Sequence, residues 1–589
     1  MHNGYYIDDK KVIVDYSSFY CETHEKLLRS ELFFVVLSRY VKHLHQKESP
    51  VLEKINQYLN VTSPEESAER MRVLLRLLNS YTCTEIVEIN PSYAGIKKVR
   101  DFLIDFIEGL YDFWRKYERY LLLSGPETRL RTRESIHYAT FIKSNDTLKL
   151  LILSTYRTLV ENLIEKNPYR IYRQLPSGGQ VGLFTQHIKW DIPDGYEGLK
   201  SIPFIRLTVL DPPVIFYPEQ NKREGLFKEV HQNPVEGVQL HPDEWFCYPA
   251  RIGKLLAFAY FHRSFLSLGT SLVNLFEIAQ FEDIYKKRPD IILVFGAPPS
   301  AVSDDITMFY QDDENGVLVG YEVNDPKIDY FGYVKKMLLT LHNISKINRN
   351  ALPIHGAMVS VRLKNKKKAN VIIVGDSGAG KSETLEAFRI LASEYLNEMT
   401  IIFDDMGSLV MDNDGNLLAY GTEIGAFLRL DDLQPGFAYE QIDRSIFMNP
   451  HLTNARLIVP VTSFNKVVRG TPVDYILYAN NYEPINDQHP VLEFFTNPEA
   501  ALDVFRAGRR KAKGTTTEKG LVESYFANPF GGPQRRNEHE KIAVQYFNYF
   551  FDHGIKVGQI RTQLGIEGME MKGPQIAAEH LFEEIGSVR

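Results

Sequence analysis

At 589 residues the chain is longer than one hydrophobic core organises, and at about 150 residues per domain three or four folding units are expected. A usage of 44% hydrophobic and 24% charged residues is that of ordinary globular proteins, which excludes collagen-like, coiled-coil and wholly disordered chains. Sixty-eight Lys+Arg against 75 Asp+Glu leave a net charge of −7, so nothing draws the whole molecule to nucleic acid or an anionic membrane, and any anion site must be local.

The first 16 residues, MHNGYYIDDKKVIVDY, lack the basic and then apolar run of a leader. From about Tyr20 to Asn167 apolar residues recur at three- and four-residue spacing, as in EKLLRSELFFVVLSRYVKHL, VRDFLIDFIEGLYDFWRKYERYLLL and TLKLLILSTYRTLVENLIEK, and predict an α-helical domain over 1–167. Ser63-Pro64-Glu65-Glu66 reads as a helix start, with a capping hydroxyl, Pro in the first turn and carboxylates at the positive end. Short apolar runs broken by Pro and Gly then predict strands and loops up to about Pro249, followed by a helical stretch from Ile252 to Lys287, which makes 168–290 a strand-rich, then helical, middle region. From Ile291 strands and helices alternate, which predicts a mixed α/β domain over 291–589. No apolar run is long enough to span a membrane, and Cys21, Cys83 and Cys247 are too few and too far apart for a disulfide framework or a CxxC knuckle. A soluble cytoplasmic protein is expected.

The strongest chemical signal is VIIVGDSGAGKSE, residues 371–383, which satisfies GxxxxGK[ST] between an apolar strand and a helical segment. Gly375, Asp376, Ser377, Gly378, Ala379 and Gly380 would turn successive backbone N–H groups toward phosphate oxygens at the positive end of the following helix. Lys381 would reach the β- and γ-phosphates, the Ser382 hydroxyl suits the Mg²⁺ bound to them, and Glu383 follows directly. The strand MTIIFDD ends in Asp404 and Asp405, 23 and 24 residues beyond Lys381, where carboxylates are placed to hold a divalent cation; a solvated turn is the alternative. His355 opens the strand expected to pair with 371–374. The basic run KNKKK, 364–368, is read as the solvated turn of that hairpin, with docking of a protein substrate as the alternative.

These residues resemble a known superfamily. IHGAMVSVRLKNKKKANVIIVGDSGAGKSETLEAF with the later Asp pair is similar to the core of HPr kinase/phosphorylase, and the collinear segments over 330–580 resemble the ATP-dependent phosphoenolpyruvate carboxykinases. The resemblance implies a P-loop-containing, carboxykinase-like mixed sheet in the C-terminal half. It implies a substrate-site Tyr330, and Lys336, 19 residues before His355, as a metal ligand with His355 and Asp405. A Lys can ligate only when neutral, so Lys336 would need a depressed pKa. Arg429, standing where the family has a phosphate-contacting Lys, and Arg456 would meet the transferred phosphoryl group; Arg429 paired with Asp431 or Asp432 at the surface is the alternative. The segment 513–532 resembles the family's flexible loop and following strand, and Arg509, Arg510, Lys511 and Lys513 before it are read equally as phosphate contacts or as solvated residues.

The family's carboxylate-gripping Gly-Arg-Ser-Pro-Lys segment is missing; Arg170, Arg173 and Arg206 are upstream candidates without its motif. The expectation is therefore a phosphotransferase using ATP or GTP with Mg²⁺ or Mn²⁺. Its acceptor would be a small molecule or protein hydroxyl rather than oxaloacetate, with Asp404 as the carboxylate that takes the acceptor proton. The alternatives are a divergent phosphoenolpyruvate carboxykinase and a nucleotide-sensing regulator. The sequence does not fix the oligomeric state.

Overall fold

The computed structural model describes residues 4–16, 21–125, 134–165, 175–376, 378–433, 436–512 and 520–587, with the backbone only for 134–141, 382 and 432. It is mixed α/β, with large mixed sheets and many helices. The chain divides into two compact units: 1–186 with 205–214, and 187–204 with 215–589. The expected boundary at 167 is therefore displaced to 186, and the 168–290 region is shared between the units.

The first unit is not purely helical. Its helices, among them Glu31–Gln46, Pro64–Leu78, Arg100–Lys116 and Glu134–Ile164, pack Leu37, Met71, Leu75, Phe106 and Val160 into one core. Ser63 caps its helix as expected, accepting from Glu66 N, with Pro64 in the first turn. Beside them runs a sheet in the order Tyr5–Ile7, Lys11–Asp15, Glu118–Gly125, Val181–Gln186 and then residues 205–210. The segment ERYLLLSG was read as the end of a helix. It forms a strand because the helix stops at Lys116, and a run of leucines that short carries no periodicity to separate the two states.

In the second unit the stretch from Ile252 is likewise corrected. Leu255–His262 is a strand, buried along its length, paired with Trp245–Ile252 and Ile291–Ala297. This sheet continues through Val317–Val323, Thr307–Asp312 and Lys228–Val230. The sheet that positions the candidate site has eight strands, ordered Thr471–Pro472, Leu417–Gly421, Leu396–Met411, Leu352–Leu363, Lys368–Val374, Tyr475–Asn480, Lys556–Arg561, Leu492–Phe494.

Alternation along Lys368–Val374 sends Val371 and Ile373 to one face, where Phe388 of the helix Lys381–Tyr395 and Phe582 of the helix Lys572–Ser587 meet at 4.9 Å. Ile372 and Val374 go to the other face, against Phe505 and Phe547. The run 364–368 is indeed a hairpin turn, with Lys364, Lys366 and Lys368 exposed. A smaller sheet joins Gly425–Arg429, Arg456–Pro460, Ile446–Met448 and Val214–Phe216. Among the described residues no helix is long and apolar enough to cross a membrane.

Candidate active site

The glycine-rich loop connects Val374 to the helix starting at Lys381. Gly380 has φ +104°, and a Cβ there would stand 2.6 Å from Thr562 Oγ1, so both conformation and space require glycine. Lys381 Nζ donates to Gly375 O at 2.6 Å and to Asp376 O at 3.2 Å. Burial lowers the pKa of this ammonium, and Asp405, Asp376 and Asp404 offset only part of that. Asp376 accepts from Arg510 Nε at 3.0 Å. Burial alone would raise its carboxyl, but His355 and Arg510 outweigh it and hold the group below the usual range. Ser377 lies outside the described residues, as does the Ser382 side chain.

Asp404 and Asp405 are consecutive strand residues, which ordinarily point to opposite faces. Here both line one cleft, and the cause is local: Asp405 has φ +110°, inside a strand whose register to Leu352–Leu363 puts it opposite Gly356. A non-glycine residue held there stores strain of the kind found at functional sites. His355 is fully buried on the neighbouring strand, its Nδ1 2.6 Å from Ala527 O. That carbonyl can only accept, so Nδ1 carries the hydrogen. Phe526 and Ala527 both have φ +51°, and this turn delivers the carbonyl to the ring. Burial and then Lys381 lower the His355 pKa, while Asp405, whose Oδ1 stands 2.9 Å from Nε2, acts the other way.

Two lysines converge on the other oxygen. Lys335 Nζ stands 2.5 Å from Asp405 Oδ2 and 3.0 Å from Glu423 Oε1, and Lys336 Nζ is 3.0 Å from Asp405 Oδ2. Burial would lower the Lys335 pKa, but Asp405 and Glu423 together raise it; for Lys336 burial wins, aided by Lys335, and the pKa falls to about 8. Burial would raise Asp405, yet the two lysines carry it well below the carboxylate range, while burial lifts Glu423 to about 7.

Arg429 and Arg456 stand directly opposite each other across two antiparallel strands. The Arg456 guanidinium lies 5.1 Å from the centre of the Phe427 ring, and Lys335 Nζ 5.6 Å from the same ring. Lys381, Glu383, Asp404, Asp405, Arg429 and Arg456 line a single cleft of about 720 Å³. Lys336 and His355 join it through Asp405, and Tyr330 through its ring contact with Phe427 at 6.0 Å.

Lys336, His355 and Asp405, the expected metal set, come together, with Lys336 Nζ and His355 Nε2 each in contact with the Asp405 carboxylate. No group of three or more His, Cys, Asp or Glu able to hold a metal is found among the described residues, so the set depends on the lysine. His355 Nε2 and Asp405 Oδ1 face each other at 2.9 Å, an imidazole nitrogen and a carboxylate oxygen of the kind that ligate divalent cations, with Nδ1 tied to Ala527 O. Of the basic residues before 513, Arg509 pairs with Glu523, Arg510 holds Asp376 and Lys511 lines the cleft; Lys513, Arg170 and Arg173 lie outside the described residues, and Arg206 belongs to the first unit.

Sequence reasoning missed Lys335, Ala527 and Arg223. Arg223 lies 5.4 Å from the centre of Phe530, the ring that Lys336 Nζ approaches to 4.5 Å. No protein-family model matches the chain and no curated protein matches it.

Proposed function

We propose that the second unit is a nucleotide- and divalent-metal-dependent phosphotransferase on a carboxykinase-like fold, acting on a hydroxyl acceptor. The observation that carries this reading is the meeting of Lys381, the Asp404–Asp405 pair and the opposed Arg429 and Arg456 in one cleft. Phosphoryl transfer asks for positioned cations around the equatorial oxygens and a carboxylate beside the attacking hydroxyl, and these residues supply both. A nucleotide polyphosphate bound along the glycine-rich loop would draw Lys381 Nζ from its two carbonyls to the β- and γ-oxygens. Lys336, His355 and Asp405 would hold the cation, with Ser382 facing the one carried by the nucleotide. When bound, such a cation neutralises phosphate charge and binds oxygens of the transferred group.

Asp404 would accept the acceptor's proton as the acceptor oxygen bonds to the γ-phosphorus, while the bond from that phosphorus to the β-phosphate oxygen breaks and the diphosphate leaves. Arg429 and Arg456 would stabilise the transferred group, with Phe427 keeping water from one side of Arg456. Calorimetric titration with ATP and GTP in Mg²⁺ or Mn²⁺, followed by turnover on hydroxyl acceptors, tests the reading. Binding and turnover lost in Lys381→Ala are expected; a wild-type chain that binds neither nucleotide refutes it.

A second reading, a divergent phosphoenolpyruvate carboxykinase, is favoured by Arg223, a cation from 168–290 that approaches the same Phe530 ring as Lys336. Phosphoenolpyruvate made from oxaloacetate and ATP, and abolished in Lys381→Ala, would select it. Tight nucleotide binding without turnover on any acceptor would select a sensor.

A further inference from the structure

The carbonyl that meets His355 Nδ1 is itself held by side chains that the proposed chemistry does not use. Ala527 O stands 2.6 Å from that nitrogen, at the end of a turn in which Phe526 and Ala527 both have φ +51°. Two successive non-glycine residues in this conformation cost energy, and they persist only where the surroundings over-determine them. Part of that support is backbone. Gly508, φ +55°, caps the helix Pro498–Ala507 so close to the turn that a Cβ on it would run into Ser524 O and stand 2.5 Å from Ala527 N. Ser524 N donates to Gly508 O at 3.2 Å, and Ala527 N to Ser524 O at 2.6 Å.

The rest is a chain of side chains ending on Tyr525. Arg506 donates from Nε and Nη2 to Glu540 Oε1 at 2.9 and 2.6 Å, and the Tyr525 hydroxyl lies 2.9 Å from Glu540 Oε2. Burial would raise the Glu540 carboxyl, but Arg506 and Tyr525 outweigh it and hold the group below the usual range. The carboxylate therefore accepts and the hydroxyl donates, which leaves the hydroxyl's lone pair for Nδ1 of the fully buried His539 at 3.1 Å. The His539 ring packs T-shaped against Tyr525 at 5.3 Å and Phe526 at 4.9 Å, and the Arg536 guanidinium covers the Tyr525 ring at 4.6 Å. Tyr525 is thus fixed at its hydroxyl and its ring, two residues before the carbonyl that reaches His355. Neither Tyr525, Glu540 nor Arg506 lines the cleft, so their route to it is through Ala527.

We propose that Tyr525, backed by Glu540 and Arg506, is a positioning residue for the candidate cation site: it pins the turn so that Ala527 O holds the His355 ring with Nε2 turned to Asp405. This deepens the phosphotransferase reading and rests on it. An imidazole tied through one nitrogen to a fixed acceptor presents the other at a fixed angle, and outer partners of this kind are worth about 10–100-fold in metal affinity. The effect belongs to the cation and not to the nucleotide, because the glycine-rich loop has ties of its own. Arg510 Nε donates to Asp376 Oδ2 at 3.0 Å, Asn481 Nδ2 to Gly378 O at 2.9 Å and Thr562 Oγ1 to Ala379 O at 2.9 Å.

The test uses the full-length protein without nucleotide, titrated with Mn²⁺ and followed by the electron paramagnetic resonance of the free ion; loss of binding in His355→Asn identifies the site. Tyr525→Phe should weaken Mn²⁺ at that site at least tenfold, while a non-hydrolysable ATP analogue binds within about twofold of wild type. Glu540→Ala should act alike, and Glu540→Gln, which keeps an oxygen for the Tyr525 hydroxyl, should fall between it and wild type. In proton NMR the hydrogen-bonded Nδ1–H resonance, assigned by its loss in His355→Asn, should exchange faster with solvent in Tyr525→Phe. Thermal melting of each variant verifies folding, and Glu540→Gln carries the test if Tyr525→Phe does not fold. The inference is overturned by a folded Tyr525→Phe or Glu540→Ala protein of wild-type Mn²⁺ affinity. It is also overturned by equal losses of Mn²⁺ and analogue affinity, the mark of a merely structural role. A wild-type chain that binds Mn²⁺ at the His355 site but no nucleotide refutes the phosphotransferase reading alone, and one that binds no Mn²⁺ there refutes both.

Discussion

Lys335 and Lys336 are adjacent, chemically identical and bonded to the same carboxylate oxygen, yet their environments drive their pKa values apart. Both approach an aromatic ring, but Lys335 is paired with two carboxyls and Lys336 with one. Replacing Lys335 with Met leaves Asp405 and Glu423 buried without their main cation and should cost about 3–5 kcal/mol, read by denaturant unfolding. Lys336→Met should cost distinctly less stability while still abolishing turnover.

Glu322 gives a pH signature of its own. Burial raises its carboxyl to about 8 against the opposing charge of Arg223, whose own surroundings include Tyr330 and Tyr333. The unfolded chain ionises this group from about pH 4.5, so between there and about pH 8 the folded state binds more protons, and stability falls as pH rises. Glu322→Gln removes that term. Its stability relative to wild type should climb by up to roughly 1.4 kcal/mol per pH unit across the window, measured by chemical denaturation at several pH values. A flat difference would mean that the carboxyl is solvated. At this scale the sequence exposed Lys381, His355 and the Asp pair, because a glycine pattern and polar residues set beside apolar runs mark them, although the strands expected to open at His355 and to end at Asp405 in fact span Leu352–Leu363 and Leu396–Met411. Lys335, Ala527 and Arg223 had no such mark, since their partners lie 70, 172 and more than 300 residues away.

Among elements, the hairpin and glycine-rich loop were legible because each is local: a strand, a turn of lysines or glycines, then a strand or helix. The strands Glu118–Gly125 and Leu255–His262 were not, since what makes them strands is pairing to neighbours chosen by topology. The segment that presents Ala527 O to His355 was also invisible, because two consecutive non-glycine residues at positive φ carry no sequence signature. Ala527→Gly should relieve this conformation and stabilise the fold by about 1 kcal/mol, seen as a higher melting temperature, while loosening the carbonyl and lowering kcat. Gly380→Ala should do the reverse to the fold. Its Cβ meets Thr562 in a backbone conformation that alanine resists, so both the melting temperature and nucleotide affinity should drop.

At the scale of the whole molecule the acidic balance asks only that an anion site be local. The cleft is not a patch of positive charge; its wall mixes Arg429, Arg456, Arg510 and Lys511 with Asp404, Asp405, Asp431, Glu567 and Glu570. Cations are aimed at particular oxygens rather than pooled. The two compact units have separate apolar cores, one built on Leu37, Met71 and Phe106, the other with Ile372, Phe403 and Phe505. Scanning calorimetry should resolve two unfolding transitions. Mg²⁺ and ATP at 100 times the dissociation constant should stabilise the one belonging to 215–589 by about 2.7 kcal/mol and leave the other in place. A single transition shifted as a whole would refute this.

The positive φ at Asp405 turns the carboxylates of two successive strand residues into the same cleft. In the proposed roles, base and cation-holding carboxylate are successive links of one chain, so about 3.8 Å between their Cα atoms is guaranteed by covalent bonds. The arginines stand on a different sheet and share no such covalent tie to the pair. A lineage could therefore retune what enters this cleft by editing loops far along the sequence, and inherit the spacing of Asp404 and Asp405 unchanged.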